Sequence, residues 1–343
     1  MKIPIRNIYF LLIYAWNRLP ESKVVNISAD QYTNIPDLLA RVLVNGCNHI
    51  LKSGLDKDYL ERTERYRGVK GKIQFADTLK SNALRYGQTV CSFDEYSEDI
   101  LQNQILKAAG QALIRIKSLN TGLRKELQTI QWKLQNVSNI ELSAKSVDRV
   151  KIHRNNYFYH FLLNVCKLIA ENTVLDDTKG NYIFKDFIQD EVQMRYLFEE
   201  FVKNFYTIHA TEYSVYRENL KWQIDLDSEG DLKFLPLMKT DVSLENKESK
   251  IIIETKFTPR LLTKEYQKYR SGHMYQLYSY LQNTQRKQGW DASKSLSGIL
   301  LYPSVQKSID EQYSFGGIGF RVATIDLGQD WQSITETLME YVA

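Results

Sequence analysis

The sequence predicts two domains: a mixed α+β domain over residues 1–150 and, over 151–343, an α/β domain in which a mixed sheet is flanked by helices. Three observations lead there. At 343 residues the chain exceeds one typical domain and can bury a core in each of two. Apolar periodicity in the C-terminal half runs helix, strands, helix, strand, strand, helix, an order that lays helices on a sheet. Ile251, Ile252 and Ile253 form an unbroken apolar run, the mark of a strand buried on both faces.

Composition narrows the class. No apolar run approaches the roughly 18 residues that a membrane-spanning helix needs. The apolar stretch Ile8 to Ala15 is short, is flanked by Arg6 and Trp16 and lacks a small-residue cleavage site, so it reads as a core helix and the expected location is cytoplasmic. Cys47, Cys91 and Cys166 are odd in number and far apart, which argues for buried, reduced thiols and against a disulfide framework or a Cys-based zinc site. A net charge of +4 is too mild to mark the whole chain as a nucleic-acid binder, so local patches must carry that argument.

Taken in order, Arg6 to Arg18 places Tyr9, Leu12, Ile13 and Trp16 on one helical stripe, and Ile35 to Leu51 repeats the pattern through Leu38, Leu39, Val42, Leu43 and Cys47. Glu61 to Phe75 carries Arg62, Arg65, Arg67, Lys70 and Lys72 around a turn set by Gly68 and Gly71, and reads as a projecting basic hairpin. Such a hairpin either touches phosphates or a partner's acidic surface, or is simply solvated, with Glu61 and Glu64 neutralising it. Asp94 to Ile116 reads as a helix through Ile100, Ile105, Leu106 and Leu113, and the domain boundary is expected near Val150. Tyr157 to Glu171 is an apolar helix, followed by a loop with a turn at Lys179 and Gly180. The next helix, Asp190 to Tyr206, buries Val192, Leu197, Phe198, Phe201, Val202 and Phe205. That leaves Arg195, Glu199 and Lys203 in a row beside the buried side, where Glu199 can pair with either cation.

The chemistry concentrates in Met238 to Phe257. Asp241 stands at the mouth of one strand, and Glu254 and Lys256 end the next, the two strands being joined by a turn at Asn246 to Ser249. Side chains alternate along a strand, so Glu254 and Lys256 share a face while Thr255 points away. Two carboxylates beside an ammonium suit metal-assisted phosphodiester hydrolysis: the acids hold Mg²⁺ and the Lys orients or deprotonates the attacking water. The competing reading is a surface hairpin with a Lys–Glu ion pair, which the buried Ile run opposes. Past Pro259 a helix from Glu265 to Leu281 has a core stripe of Met274, Leu277, Tyr278 and Leu281. Tyr269, His273, Gln276 and Tyr280 form an adjacent stripe that can face the acids, with His273 read as an exposed helix histidine. Strands at Gly298 to Tyr302 and Phe320 to Leu327 and a helix from Trp331 to Tyr341 close the chain.

Asp241 followed by Glu254-Thr255-Lys256 at the end of an apolar strand, with Glu199 on the preceding helix and Tyr275-Gln276-Leu277 on the following one, resembles the PD-(D/E)XK nuclease superfamily; Thr240 stands where that signature often has Pro. IPIRNIYFLLIYAW at the N-terminus, GVKGKIQF, EDILQNQILK and LLYP together resemble the McrC family, the nuclease subunits of the GTP-dependent McrBC restriction systems directed at modified cytosine. The resemblance covers nearly the whole chain. It implies a AAA+ GTPase partner, McrB, that reads modified double-stranded DNA and binds the GTP, while this chain cuts and stimulates GTP hydrolysis. The N-terminal domain with its basic hairpin would dock on the GTPase. Asp241, Glu254 and the Thr255 carbonyl would hold Mg²⁺, Lys256 would position water, Glu199 would complete the shell, and Gln276 and Tyr280 would steady the phosphate or Lys256. Cutting a duplex would take two copies. No Walker A pattern occurs, in keeping with nucleotide chemistry borrowed from a partner. The alternative is a non-catalytic adaptor that only activates the GTPase.

Overall fold

A computed structural model describes residues 3–17, 34–151, 157–176, 181–224, 230–258, 261–262, 267–304 and 308–343. Its first helix, α1 (Ile5–Ala15), buries Ile8, Leu11, Leu12 and Ile13. It is tied to the far end of the chain: Asn7 donates to the carbonyls of Leu327 and Gln329 at 2.8 and 2.7 Å, and Asn204 donates to Ala15 at 3.0 Å. Two compact units result, residues 34–185 and residues 186–343 joined by α1. The boundary expected near 150 therefore falls near 185, and the N-terminal helix belongs with the C-terminal unit. The reason is packing, since the apolar stripe of each helix finds its partner at long range.

In residues 34–185, α2 (Ile35–Ser53) starts at Asn34, whose side chain accepts the Asp37 N–H at 2.9 Å. Strands β1 (Asp58–Arg67) and β2 (Lys72–Ile73), the short helix α3 (Phe75–Lys80) and strand β3 (Gln88–Ser97) follow. Both β1 and β2 pair antiparallel with β3, giving the order β1-β3-β2. The expected basic hairpin is thus the end of a β1–β3 ribbon, with Gly68 and Gly71 at φ +94° and +69° making its turn. Helix α4 (Leu101–Arg115) begins later than the sequence suggests, because Asp94 to Ser97 belong to β3. Helices α5 (Thr121–Lys133), α6 (Ala144–Asp148) and α7 (Tyr157–Asn172) complete the helical part, with α7 packed on α2 and α4. The segment read as a loop after α7 is instead an antiparallel pair, β4 (Thr173–Asp176) and β5 (Asn181–Phe184). Its turn at Lys179 and Gly180 lies outside the described residues.

The C-terminal unit runs α8 (Glu191–His209), β6 (Ser214–Tyr216), β7 (Asn219–Leu220), β8 (Met238–Lys239), β9 (Val242–Glu245), β10 (Ser249–Thr255), α9 (Ser271–Gln285), β11 (Ser295–Ser304), β12 (Asp310–Phe315), β13 (Ile318–Asp326) and α10 (Trp331–Glu340). Six strands form one mixed sheet in the order β12-β13-β11-β10-β9-β6, in which β10, β11 and β13 are mutually parallel and the outer strands antiparallel. Ile251, Ile252 and Ile253 are all buried, as their unbroken run predicts. Ile252 packs into a cluster with Leu277, Tyr280 and Leu281 of α9 and Leu300 of β11. The close approach of α9 to β11 requires Gly298, where a Cβ would come within 2.7 Å of Leu281.

Three sequence expectations shift here. Val192 and Tyr278, assigned to core stripes, are exposed. Helix α9 starts at Ser271, so the expected start at Glu265 falls among residues not described. Strand β12 was not anticipated: all six of its residues are exposed, and an edge strand facing water carries no apolar alternation to read. Cys47, Cys91 and Cys166 are free and buried.

Candidate active site

Asp241 sits at the bend between β8 and β9, and the β9–β10 pairing brings it opposite the end of β10. One carboxylate oxygen, Oδ2, accepts both the backbone N–H and the hydroxyl of Thr255, each at 2.8 Å. Thr255, expected to offer its carbonyl to a metal, thus fixes the Asp241 side chain as well. Among the described residues Oδ1 receives no hydrogen bond.

Glu254 faces the α9 side of β10, like Ile252 two residues before it, and is only 1% exposed. Lys256 Nζ donates to Glu254 Oε1 at 2.5 Å and to Gln276 Oε1 at 2.9 Å, and Gln276 Nε2 donates to the Tyr280 hydroxyl at 2.9 Å. The structure thus brings Glu254, Lys256, Gln276 and Tyr280 into one chain of contacts. The second oxygen of Glu254, Oε2, is buried with no hydrogen-bond partner. Burial, and then the negative charge of Asp241, push the Glu254 carboxyl up to about 8 against the pull of Lys256. A buried carboxylate oxygen without a donor costs free energy, so this position asks for a proton or a cation.

Glu199 pairs with neither Arg195 nor Lys203. Its partner is Arg217, at 2.7 Å, and Arg217 also donates to Glu200 Oε1 at 2.7 Å and to the Asp241 carbonyl at 3.1 Å. The Glu199 contact is an ion pair rather than an aligned hydrogen bond. Burial and the nearby Asp241 raise the Glu199 carboxyl above its usual range, opposed by Arg217. Sequence reasoning missed Arg217 because an arginine between two short strands belongs to no periodic pattern. His273, expected on an exposed face, is partly buried, and its Nδ1 lies 2.9 Å from the Tyr302 hydroxyl. Burial, then Lys256 and Arg270, push it down to about 4, so it is a neutral packing residue at neutral pH.

Among the described residues no three His, Cys, Asp or Glu side chains cluster as a complete metal-binding set. What the centre offers is hard oxygen from Asp241 and Glu254, including the unpartnered Oε2. That suits Mg²⁺, which keeps several waters and needs one or two carboxylates, better than a site built on nitrogen or sulfur.

The basic residues of the β1–β3 ribbon are spread out. Arg62 is held by Glu95 and lies 3.6 Å from Glu64, while Lys70 lies over the Phe93 ring at 3.7 Å. Arg65, Arg67 and Lys72 are exposed, and Glu61 is turned to the Ser92 hydroxyl at 2.5 Å.

Residues 7–303 match the family described as McrBC 5-methylcytosine restriction system component. The chain belongs to this family. A relative in Escherichia coli strain K12, the type IV methyl-directed restriction enzyme EcoKMcrBC, is 33% identical over 340 residues, spanning 98% of this chain and 97% of the relative. A solved structure is also similar, a half-complex from a tetradecameric assembly of Thermococcus gammatolerans McrB AAA+ hexamers with bound McrC. It matches 99% of this chain and 76% of that one with a TM-score of 0.59 at 15% identity, which shows a shared fold. The chain is therefore a McrBC restriction-system component, and the resemblance read from its sequence holds. Among the described residues no helix is long and apolar enough to cross a membrane.

Proposed function

We propose that this chain is the Mg²⁺-dependent endodeoxyribonuclease subunit of its McrBC system, that it acts on double-stranded DNA containing modified cytosine, and that it binds and stimulates a AAA+ GTPase of the McrB kind. Family membership supports the setting, and the neighbour described as McrC bound to McrB hexamers supports the partner. The observation that carries the chemistry is Glu254, a buried carboxylate with one oxygen unpartnered beside Asp241 and Lys256. A purely structural role in a non-catalytic adaptor gives no reason to bury a carboxyl that must hold a proton or a cation there.

Asp241 and Glu254, with the Thr255 carbonyl, would hold the ion. Bound there, Mg²⁺ would polarise the scissile phosphate and offset charge on the pentavalent transition state. Thr255 keeps Asp241 from rotating, because one of its oxygens is held by two donors. Lys256 commits two N–H directions to Glu254 and Gln276 and retains a third for the attacking water or a phosphate oxygen. Gln276 and Tyr280 fix the ammonium's direction, an orienting effect that matters when reacting atoms must align. Two copies would serve the two strands of a duplex.

Asp241→Ala should abolish Mg²⁺-dependent cleavage of methylated plasmid while stimulated GTP hydrolysis by the partner persists; undiminished cleavage would return the chain to the adaptor reading. Reversing the charges of Arg65, Arg67 and Lys70 should weaken binding to the GTPase or to DNA in a pull-down at physiological salt. Unchanged binding to both would leave that ribbon a solvated surface.

A further inference from the structure

We propose that Arg217 is a built-in cation that holds the acidic pair Glu199 and Glu200, so that the centre takes one divalent ion, through Asp241 and Glu254, rather than two. This rests on the nuclease reading and settles how many ions that site would use.

The geometry is specific. Arg217 follows β6 and directs its guanidinium at three oxygens: it donates to Glu200 Oε1 at 2.7 Å and to the Asp241 main-chain carbonyl at 3.1 Å, and its Nη2 forms an ion pair with Glu199 Oε1 at 2.7 Å without an aligned hydrogen bond. A planar guanidinium can reach three acceptors in this way, whereas an ammonium is a point charge. Its side chain is 22% exposed and that of Glu199 19%, so water screens the pair only in part. Glu199 holds its Oε1 2.7 Å from this fixed cation, so a metal taken by that carboxylate would have to share it with Arg217, which weakens Glu199 as a ligand.

The fully buried oxygen without a partner belongs to Glu254, which places the desolvated deficit on the Asp241–Glu254 side. Arg217 is accordingly a positioning residue: it braces the Asp241 main chain and takes Glu199 out of the ligand set.

Manganese titrated into the full chain by calorimetry, followed by electron paramagnetic resonance, tests this. One Mn²⁺ per chain is expected for the wild type. Asp241→Asn should weaken binding at least tenfold, and Glu199→Gln less than threefold. Arg217→Gln, which frees both glutamates, should admit a second Mn²⁺ and show Mn–Mn dipolar broadening. If Arg217→Gln does not fold, the wild-type stoichiometry and the Glu199→Gln affinity decide. Two ions in the wild type, or a Glu199→Gln loss equal to that of Asp241→Asn, would overturn the one-ion site and leave the nuclease reading standing. No Mn²⁺ binding at all would overturn both.

Discussion

Strand β10 carries an ionic cluster at each end, centred on a buried charged residue, Lys250 at its start and Glu254 at its end. At its start Lys250, 3% exposed, lies 2.7 Å from Glu218 and 3.8 Å from Glu245. Glu245 also takes the Lys294 ammonium at 2.8 Å and the Tyr216 hydroxyl, and Ser243 donates to Glu218 at 3.0 Å. Two carboxylates meet two ammoniums there. Burial pushes Glu245 up, but the hydrogen bonds from Lys294 and Tyr216 and the charge of Lys250 outweigh it, and its carboxyl stays below the usual range. At the other end Glu254 has an oxygen without a donor and a raised carboxyl. Similar residue types at the two ends of one strand thus give a cluster whose carboxylates are matched by ammoniums and one whose buried carboxyl keeps an oxygen without a donor. Neutrality with full hydrogen bonding is what structure alone requires; a standing deficit is a place for a ligand.

The widest separation between the two ends should come from Glu254→Gln. Cleavage should fall on the order of 10³-fold, about 4 kcal/mol of barrier, because an anionic ligand is lost. At pH 9, above the range in which Glu254 keeps its proton, the chelated variant should melt higher than the chelated wild type, since an uncompensated charge is gone. A lower melting temperature in chelator would show that Glu254 is a structural charge like Glu245.

Lys250→Met should do the reverse. It leaves Glu218 and Glu245 short of a buried counter-ion, so urea unfolding of the C-terminal unit should show a loss of about 3 kcal/mol. Cleavage per folded molecule should stay near wild type. Unchanged stability would mean that this cluster is not closed by Lys250.

The smallest effect is a slope. The folded chain holds a proton on Glu254 up to about 8, whereas an ordinary glutamate gives it up near 4.5. The stability this proton supplies is full below 4.5 and is lost as the pH rises through about 8, at about 1 kcal/mol per pH unit in between. Urea midpoints of the chelated protein should therefore fall from pH 5 to pH 8. The Glu254→Gln variant should lack that part of the slope, and an equal slope in both would assign it to other groups.

Much of the centre was legible from the chain. The Ile251 to Ile253 run fixed a doubly buried strand, and strand alternation put Glu254 and Lys256 on one face, where Lys256 now bonds Glu254. Gln276 and Tyr280 were legible as a helical stripe one turn apart, and they do bond each other. The partner of Glu199 was not, because proximity along α8 favoured Arg195 and Lys203 whereas tertiary packing brought in Arg217. The division into compact units was not legible for a related reason: α1 and α7 each carry an apolar stripe, and nothing local says that α7 packs on α2 and α4 while α1 joins the C-terminal unit.

The sequence by itself determined which strand is buried, which side chains share its face and which family the chain resembles, since these follow from period, spacing and motif. Only the tertiary structure decided the balance of charge at each end of β10. Whether a carboxylate is matched depends on cations and donors that arrive from elsewhere in the chain: Lys294 and Tyr216 for Glu245, the Arg217 ion pair for Glu199, and none for the buried second oxygen of Glu254.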